Sequence, residues 1–122
     1  MSLRVMIVDD ALFMRNMLKE ICGRAGFEVV AEADNGETAV ELYRAHQPEL
    51  VTMDIVMPGR SGIEALREIM AEDSRARVVM VSALGQDALI LEAVEAGASD
   101  FIVKPFKEEK VIDTIRRAAA RV

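Results

Sequence analysis

The sequence lacks the residues on which several classes of protein depend. It has one cysteine, one histidine and no tryptophan, and only 4% of its residues are aromatic. The single thiol, Cys22, cannot form an intrachain disulfide, and no cluster of cysteines is present to hold zinc. No apolar run approaches the roughly 18 residues of a transmembrane helix, and two early aspartates argue against a signal peptide. We therefore expect a cytoplasmic protein that does not enter a membrane.

Positive charge is also scarce. The chain carries 15 lysines and arginines against 21 aspartates and glutamates, so its formal net charge is −6. Surfaces that bind nucleic acids need clustered lysine and arginine, and we expect neither nucleic acid nor an anionic membrane as a partner. Apolar residues make up 52% of the 122 residues, which is enough for one folded domain and argues against disorder.

Apolar segments alternate with helical patterns along the whole chain. Strands are predicted at 4–8, 28–33, 50–53, 77–82 and 101–103, and helices at 11–25, 36–45, 62–72, 86–96 and 107–120. Glycine or proline stands at many of the boundaries, as at Gly26, Pro48 and Gly97. Five repeats of strand and helix predict an α/β fold, in which helices cover both faces of a parallel sheet.

Polar side chains stand at the ends of four predicted strands. Asp9 and Asp10 follow the first strand, Asp54 follows the third, Ser82 ends the fourth, and Lys104 follows the fifth. Each alone has an ordinary explanation, such as a helix N-cap for Asp10 or a turn for Ser82. Together they indicate a functional site, because ligands of open α/β sheets bind beyond the carboxyl ends of the strands.

The chemistry of this set points to phosphoryl transfer. Asp54 interrupts an apolar segment, where an unpaired charge is costly, and three crowded carboxylates repel one another. A divalent cation removes this conflict, and Mg²⁺ favours oxygen ligands. A carboxylate beside the cation can attack phosphorus and form an aspartyl phosphate. Lys104 can pair with the phosphoryl group and Ser82 can donate a hydrogen bond to it.

Four segments resemble the receiver domain of two-component response regulators. They are VMIVDD, VTMDIVMPG, VSALG and DFIVKPF, which occur in the family's order and spacing along the whole chain. The resemblance implies a flavodoxin-like (βα)5 three-layer sandwich whose five-stranded parallel sheet has the order 2-1-3-4-5. It also implies that residues 1–122 form a single receiver domain with no output domain. The short length and the segment DDALFMR are similar to the stand-alone receivers of chemotaxis.

The resemblance assigns a role to each candidate residue of the site. Asp54 matches the phosphoacceptor, and Asp9 and Asp10 match the acidic pair that holds Mg²⁺ (or Mn²⁺), with Asp10 as the direct ligand. Val56 would offer its backbone carbonyl to the metal. Lys104 matches the lysine that binds the phosphoryl group.

Other positions match the family's conformational switch. Ser82 and Phe101 correspond to the switch pair, in which the hydroxyl follows the phosphoryl group and the ring turns inward. Pro105 matches a proline that follows a cis peptide bond. Arg60 and Ser61 replace the usual apolar and acidic pair of this family, which leaves the chemistry intact.

The implied function is phosphorylation-driven signalling, in which the protein catalyses only its own phosphorylation and dephosphorylation. A sensor histidine kinase would supply the phosphoryl group, and the modified monomer would bind a flagellar motor switch protein. Val56 and Leu84 are apolar and cannot orient water, which implies slow self-dephosphorylation and a separate phosphatase. Two alternatives stay open: a single-domain phosphorelay intermediate, and a Mg²⁺-dependent phosphohydrolase with an aspartate nucleophile. The expected D-x-D motif and cap insertion of the hydrolase are absent.

The predicted fourth helix offers a surface for the partner. Leu89, Ile90 and Leu91 are consecutive, and at about 100° per residue they sweep roughly 200° of a helix, more than a core-facing stripe requires. At least one should therefore face outward. With Phe101 on the adjacent strand, these residues predict a partner-binding face formed by the fourth helix, the fifth strand and the fifth helix.

Overall fold

The five predicted strands form one parallel sheet. In the computed structural model, which describes residues 2–121, they are β1 Arg4–Val8, β2 Glu28–Ala33, β3 Leu50–Asp54, β4 Val78–Ser82 and β5 Asp100–Val103. The order across the sheet is β2-β1-β3-β4-β5, and each neighbouring pair is parallel. The predicted α/β class and strand order are confirmed.

Five helices connect and follow the strands. They are α1 Leu12–Arg24, α2 Gly36–His46, α3 Gly62–Glu72, α4 Asp87–Glu95 and α5 Glu108–Ala120. Two of them begin at side-chain caps: Asn35 accepts a hydrogen bond from the Thr38 amide, and Ser61 forms a capping box with Glu64. Within residues 2–121, none of the helices is both long and apolar enough to cross a membrane.

The sheet is buried on both faces, as parallel sheets usually are. On one face, side chains such as Met53 and Met80 pack with α2, α3 and α4. On the other face, Ile7 and Val79 pack with α1 and α5. This arrangement produces the predicted three layers and makes the sheet a rigid support for its own carboxyl edge.

Strand register determines which side chains meet at that edge. Val8 of β1 lies beside Met53 of β3, so the next residues, Asp9 and Asp54, emerge next to each other. On the other side of β3, Asp54 lies beside Val81 of β4, one residue before Ser82. The parallel pairing thus brings side chains that are distant in sequence to one place.

Candidate functional site

Three carboxylates meet at the carboxyl edge of the sheet. One oxygen from each of Asp9, Asp10 and Asp54 lies within 4.8 Å of the other two. Asp9 and Asp54 are buried, with 1% and 8% of their surface exposed, whereas Asp10 is exposed. Asp10 does not serve as the N-cap of α1, since that position is Ala11, whose amide instead donates to Asp9 Oδ1 at 2.9 Å.

Lys104 supplies the positive charge nearest to these acids. Its Nζ lies 3.5 Å from Asp9 Oδ2 and 3.7 Å from Asp54 Oδ1. The Lys104–Pro105 peptide bond is cis. One ammonium group faces three carboxylates, so the edge retains an excess of negative charge.

Burial and the excess negative charge both favour the protonated form of Asp54. Its pKa is raised to about 6, mainly by burial and next by the neighbouring charge of Asp9, while Lys104 partly opposes this shift. A divalent cation would relieve this crowding. The three carboxylates provide the hard oxygen donors that Mg²⁺ prefers, and they lie close enough together to share one ion. The residues present therefore fit a magnesium site.

Ser82 lies at the carboxyl edge of the sheet, whereas Phe101 lies on β5 beside Met80, two residues before that edge. Ser82 is fully buried at the end of β4, and its hydroxyl donates a long hydrogen bond of 3.4 Å to the Ile102 carbonyl. Phe101 is 38% exposed on β5 and lines an open cleft of about 410 Å³ with Pro105 and Lys110. The Phe101 ring is therefore accessible from outside.

The apolar segment of α4 is only partly used by the core. Leu89 and Ile90 are half-buried and pack against the core, whereas Leu91 is 60% exposed. Ala93 is the fully buried residue of this helix. The prediction that at least one of the three consecutive residues faces outward is confirmed, and that residue is Leu91.

Gly62 is a part of the site that the sequence analysis missed. It is the first residue of α3, and its amide donates to the Ile55 carbonyl at 2.8 Å. A Cβ atom at this position would lie 1.9 Å from the carbonyl oxygen of Asp54. Only glycine fits there. The sequence offers one hint, because a glycine that follows an N-cap serine within a helix requires an explanation.

A network of basic and acidic side chains that contacts Asp9 was also missed. Arg15 Nη1 donates to the backbone carbonyl of Asp9 at 2.7 Å, and Arg15 Nε donates to Glu32 Oε1 at 3.0 Å. Lys19 Nζ binds the other oxygen of Glu32 at 2.8 Å, and this hydrogen bond is the largest influence that lowers the pKa of Glu32. The network ties α1 and β2 to the acidic loop. The spacing of Arg15 and Lys19 on one helix face was the available signal.

Comparison with known proteins finds relatives over nearly the whole chain. The family model described as the response regulator receiver domain matches residues 5–116. The chemotaxis protein CheY of Bacillus subtilis is 55% identical over 117 residues, which cover 96% of this chain and 98% of that protein. CheY of Thermotoga maritima is 51% identical over 119 residues, covering 98% and 99%.

Solved structures show the same similarity. A chain in the crystal structure of the CheX-CheY-BeF3-Mg²⁺ complex from Borrelia burgdorferi superposes with a TM-score of 0.92 at 39% identity. The match covers 98% of this chain and 90% of that one. The similarity therefore includes every strand and helix that positions the acidic cluster.

Proposed function

The chain belongs to the response regulator receiver domain family, and from that premise we propose that Asp54 is the residue on which it is phosphorylated. The chain is a CheY-like receiver of two-component signalling in chemotaxis, and it is a signalling protein rather than a classical enzyme. The observation that carries the proposal is the buried Asp54 carboxylate, which lies among Asp9, Asp10 and Lys104.

The metal site of the proposal is built from the same acids. Asp9, Asp10 and Asp54 would hold Mg²⁺, with Asp10 as a direct ligand and the Val56 backbone carbonyl as a further oxygen donor. Mn²⁺ would suit the same oxygen set. When bound, the cation offsets negative charge on the oxygens of the transferred phosphoryl group.

In the proposed reaction, an oxygen of Asp54 forms a bond to the phosphorus of a phosphohistidine. The phosphorus–nitrogen bond of the donor breaks, and the imidazole leaves with the electron pair and takes up a proton. Lys104 Nζ, 3.7 Å from Asp54 Oδ1, is placed to pair with a phosphoryl oxygen. Ser82 would exchange its long hydrogen bond to Ile102 for one to the phosphoryl group, and Phe101 would change its packing in response. The protein's own chemistry is limited to its phosphorylation and dephosphorylation.

The proposed partners are those of a chemotaxis receiver. A CheA-like sensor histidine kinase supplies the phosphoryl group, a flagellar motor switch protein receives the signal, and a phosphatase ends it. We propose that residues 1–122 act in the cytoplasm as a monomeric single domain, whose own surface makes the output contact. Support comes from the two CheY relatives, which this chain matches over nearly their full length.

Phosphorylation with a small donor tests this function. Incubation with Mg²⁺ and acetyl phosphate should add one phosphoryl group, detected by intact mass, and Asp54→Asn should abolish the addition. Asp113→Asn changes an exposed acid on α5 and should be labelled like the wild type. Labelling of Asp54→Asn at the wild-type rate would contradict the proposal.

A pull-down of the flagellar switch protein tests the partner and should succeed only after phosphorylation. Transfer of the phosphoryl group to a histidine protein instead would indicate a phosphorelay intermediate.

A further inference from the structure

A cleft with a basic lining opens at the end of the sheet opposite the acidic site. It lies where β4 and β5 begin and where α5 ends, and its volume is about 600 Å³. That is within the range of about 300–1,000 Å³ that is typical of small-molecule sites. Its polar lining side chains are those of Ser74, Arg75, Arg77, Ser99 and Arg121. No carboxylate is among the lining residues that the structure describes.

The three arginines of this cleft form no ion pair with any acid among residues 2–121, whereas elsewhere Arg24 binds Glu108 at 2.6 Å. The nearest acid in sequence, Asp73, is engaged otherwise: it accepts hydrogen bonds from the Tyr43 hydroxyl at 2.7 Å and from the Arg75 amide at 3.1 Å. Three cations that have no acidic partner in the described part of the chain are unexpected in one cleft of a protein whose net charge is −6.

Two of these guanidinium groups are held in position by backbone atoms. Arg77 donates to the carbonyl of Arg121, and Arg121 donates to the carbonyl of Ser99. Carbonyls satisfy single N–H groups but do not neutralise the charge, and each guanidinium has five donors. Groups that are already held lose less entropy on binding a ligand.

Fastening the end of α5 explains only part of this arrangement. It accounts for Arg77 and Arg121, which bond to the backbone. It does not account for Arg75, an exposed residue whose side chain forms no hydrogen bond within the described part of the chain. Arg75 adds charge to the cleft without adding a structural contact.

We propose that this cleft binds a small anion that carries two or more phosphate groups. Guanidinium groups bind phosphate oxygens in pairs, and the hydroxyls of Ser74 and Ser99 add neutral donors. The cleft exceeds the size of one phosphate, and Met70 and Ala98 provide an apolar wall for an attached organic group. The site is separate from the acidic edge and does not depend on Asp54.

Binding is tested on the full chain in a metal chelator, so that phosphates cannot bind the acidic edge through Mg²⁺. The probes are inorganic pyrophosphate and ADP, with adenosine as the ligand that lacks phosphate. Calorimetry should show saturable binding of both phosphates, with a dissociation constant below about 1 mM, and no binding of adenosine. Amide NMR shifts should appear at residues 97–99 and not at Asp54. Failure to saturate, or shifts centred on the acidic edge, would overturn the proposal.

Substitutions of the cleft arginines test which side chains contribute to pyrophosphate binding. Arg75→Glu should weaken pyrophosphate binding at least tenfold while the protein stays folded, because this side chain makes no structural bond. Arg77→Gln should weaken it similarly. The matched control is Arg117→Gln on α5, whose guanidinium lies 3.8 Å from Asp100, outside the cleft; its affinity should not change. Asp54→Asn should also bind normally, which separates this site from the phosphorylation site. Unchanged affinity in Arg75→Glu would refute the assignment.

Discussion

The surroundings of Asp54 destabilise its ionised carboxylate in the metal-free protein. Its carboxylate is buried, lies beside the buried Asp9, and has Lys104 as its nearest cation. A scaffold optimised only for stability would not retain such a group, because the ionised form is disfavoured by burial and by its neighbours. The same destabilisation favours binding of a cation at this site. The functional carboxylate therefore lowers the free energy of unfolding of the metal-free protein.

Replacing Asp54 by Asn should stabilise the metal-free protein in a pH-dependent way. The folded-state pKa of about 6 is above the ordinary value of 3.8, so stability falls as pH rises between these values and the cost is complete above pH 6. Asp54→Asn should therefore raise the free energy of unfolding by about 1–3 kcal/mol at pH 7.5. The gain should shrink as pH falls from 6 towards 4. Urea unfolding in a chelator measures this, and a gain that grows at low pH would contradict it.

The lifetime of the phosphoryl group should depend on two apolar side chains in the loops around the site. Val56 and Leu84 are 54% and 76% exposed, and neither can orient a water molecule for attack. We expect slow self-dephosphorylation, accelerated about tenfold by Val56→Asn, which is less than the 10²–10⁴-fold typical of a full general base. Phosphoryl loss from purified protein is measured over time. Leu91→Asn, an equally apolar and exposed position on α4, is the control and should match the wild type.

Two helix glycines allow a matched test of how α3 supports the site. A Cβ at Gly62 would lie 1.9 Å from the Asp54 carbonyl oxygen, whereas a Cβ at Gly23 in α1 would meet nothing within 4 Å. Gly62→Ala should reduce the free energy of unfolding by about 2 kcal/mol or more, since backbone atoms must move. Gly23→Ala should increase it by about 0.5–1 kcal/mol. Urea unfolding measures the change in the free energy of unfolding for both variants. Equal changes would show that the backbone at the β3–α3 junction can move at little energetic cost.

Most elements were predictable from the sequence because each carries local signals. Every observed strand and helix boundary lies within one residue of its predicted position, since apolar periodicity, caps and glycines agree. The local signals at Gly62 and Arg15 did not reveal what these residues contact. The contact of Gly62 depends on how closely two backbones approach after packing, and the bond from the Arg15 side chain to the Asp9 carbonyl depends on how α1 packs on the sheet. The orientation of α4 was likewise undetermined, since its apolar residues sweep more of the helix than the core occupies.

The exposed residue of α4 provides a test of the output surface. Leu91→Glu should weaken binding of the phosphorylated protein to the flagellar switch protein about tenfold, because it places a charge in an apolar contact. Leu89 and Ile90 pack against the core and are unsuitable, since changing them would also affect folding. The control is Leu12→Glu on α1, which introduces the same charge at an equally exposed position, at 60%, outside the proposed output surface. Normal binding by Leu91→Glu, with Asp54 fully phosphorylated, would place the output surface elsewhere.

Charge is distributed unevenly over the whole molecule. The carboxyl edge of the sheet gathers Asp9, Asp10 and Asp54, and the opposite end gathers Arg75 and Arg77, which form no ion pair with the other residues that the structure describes. The rigid sheet between them keeps the two clusters apart, so neither can neutralise the other. Each end is therefore available for a ligand of opposite charge.

Binding of Mg²⁺ at one edge should stabilise the entire fold. A ligand that binds only the folded state adds RT ln(1 + [L]/Kd), which is about 1.4 kcal/mol at ten times the dissociation constant. Asp10→Ala should remove this increment. It should also raise the stability of the metal-free protein slightly, because Asp10 is exposed and contributes one repelling charge near Asp54.

Urea unfolding with Mg²⁺ and with a chelator measures both effects of Asp10→Ala. Asp113→Ala on α5 is the control and should keep the full Mg²⁺ increment, since this residue lies outside the acidic cluster. If Asp10→Ala were stabilised by Mg²⁺ as much as the wild type, the ion would bind elsewhere. The opposite signs expected without and with metal distinguish a lost ligand from general damage to the fold, which would lower stability in both conditions.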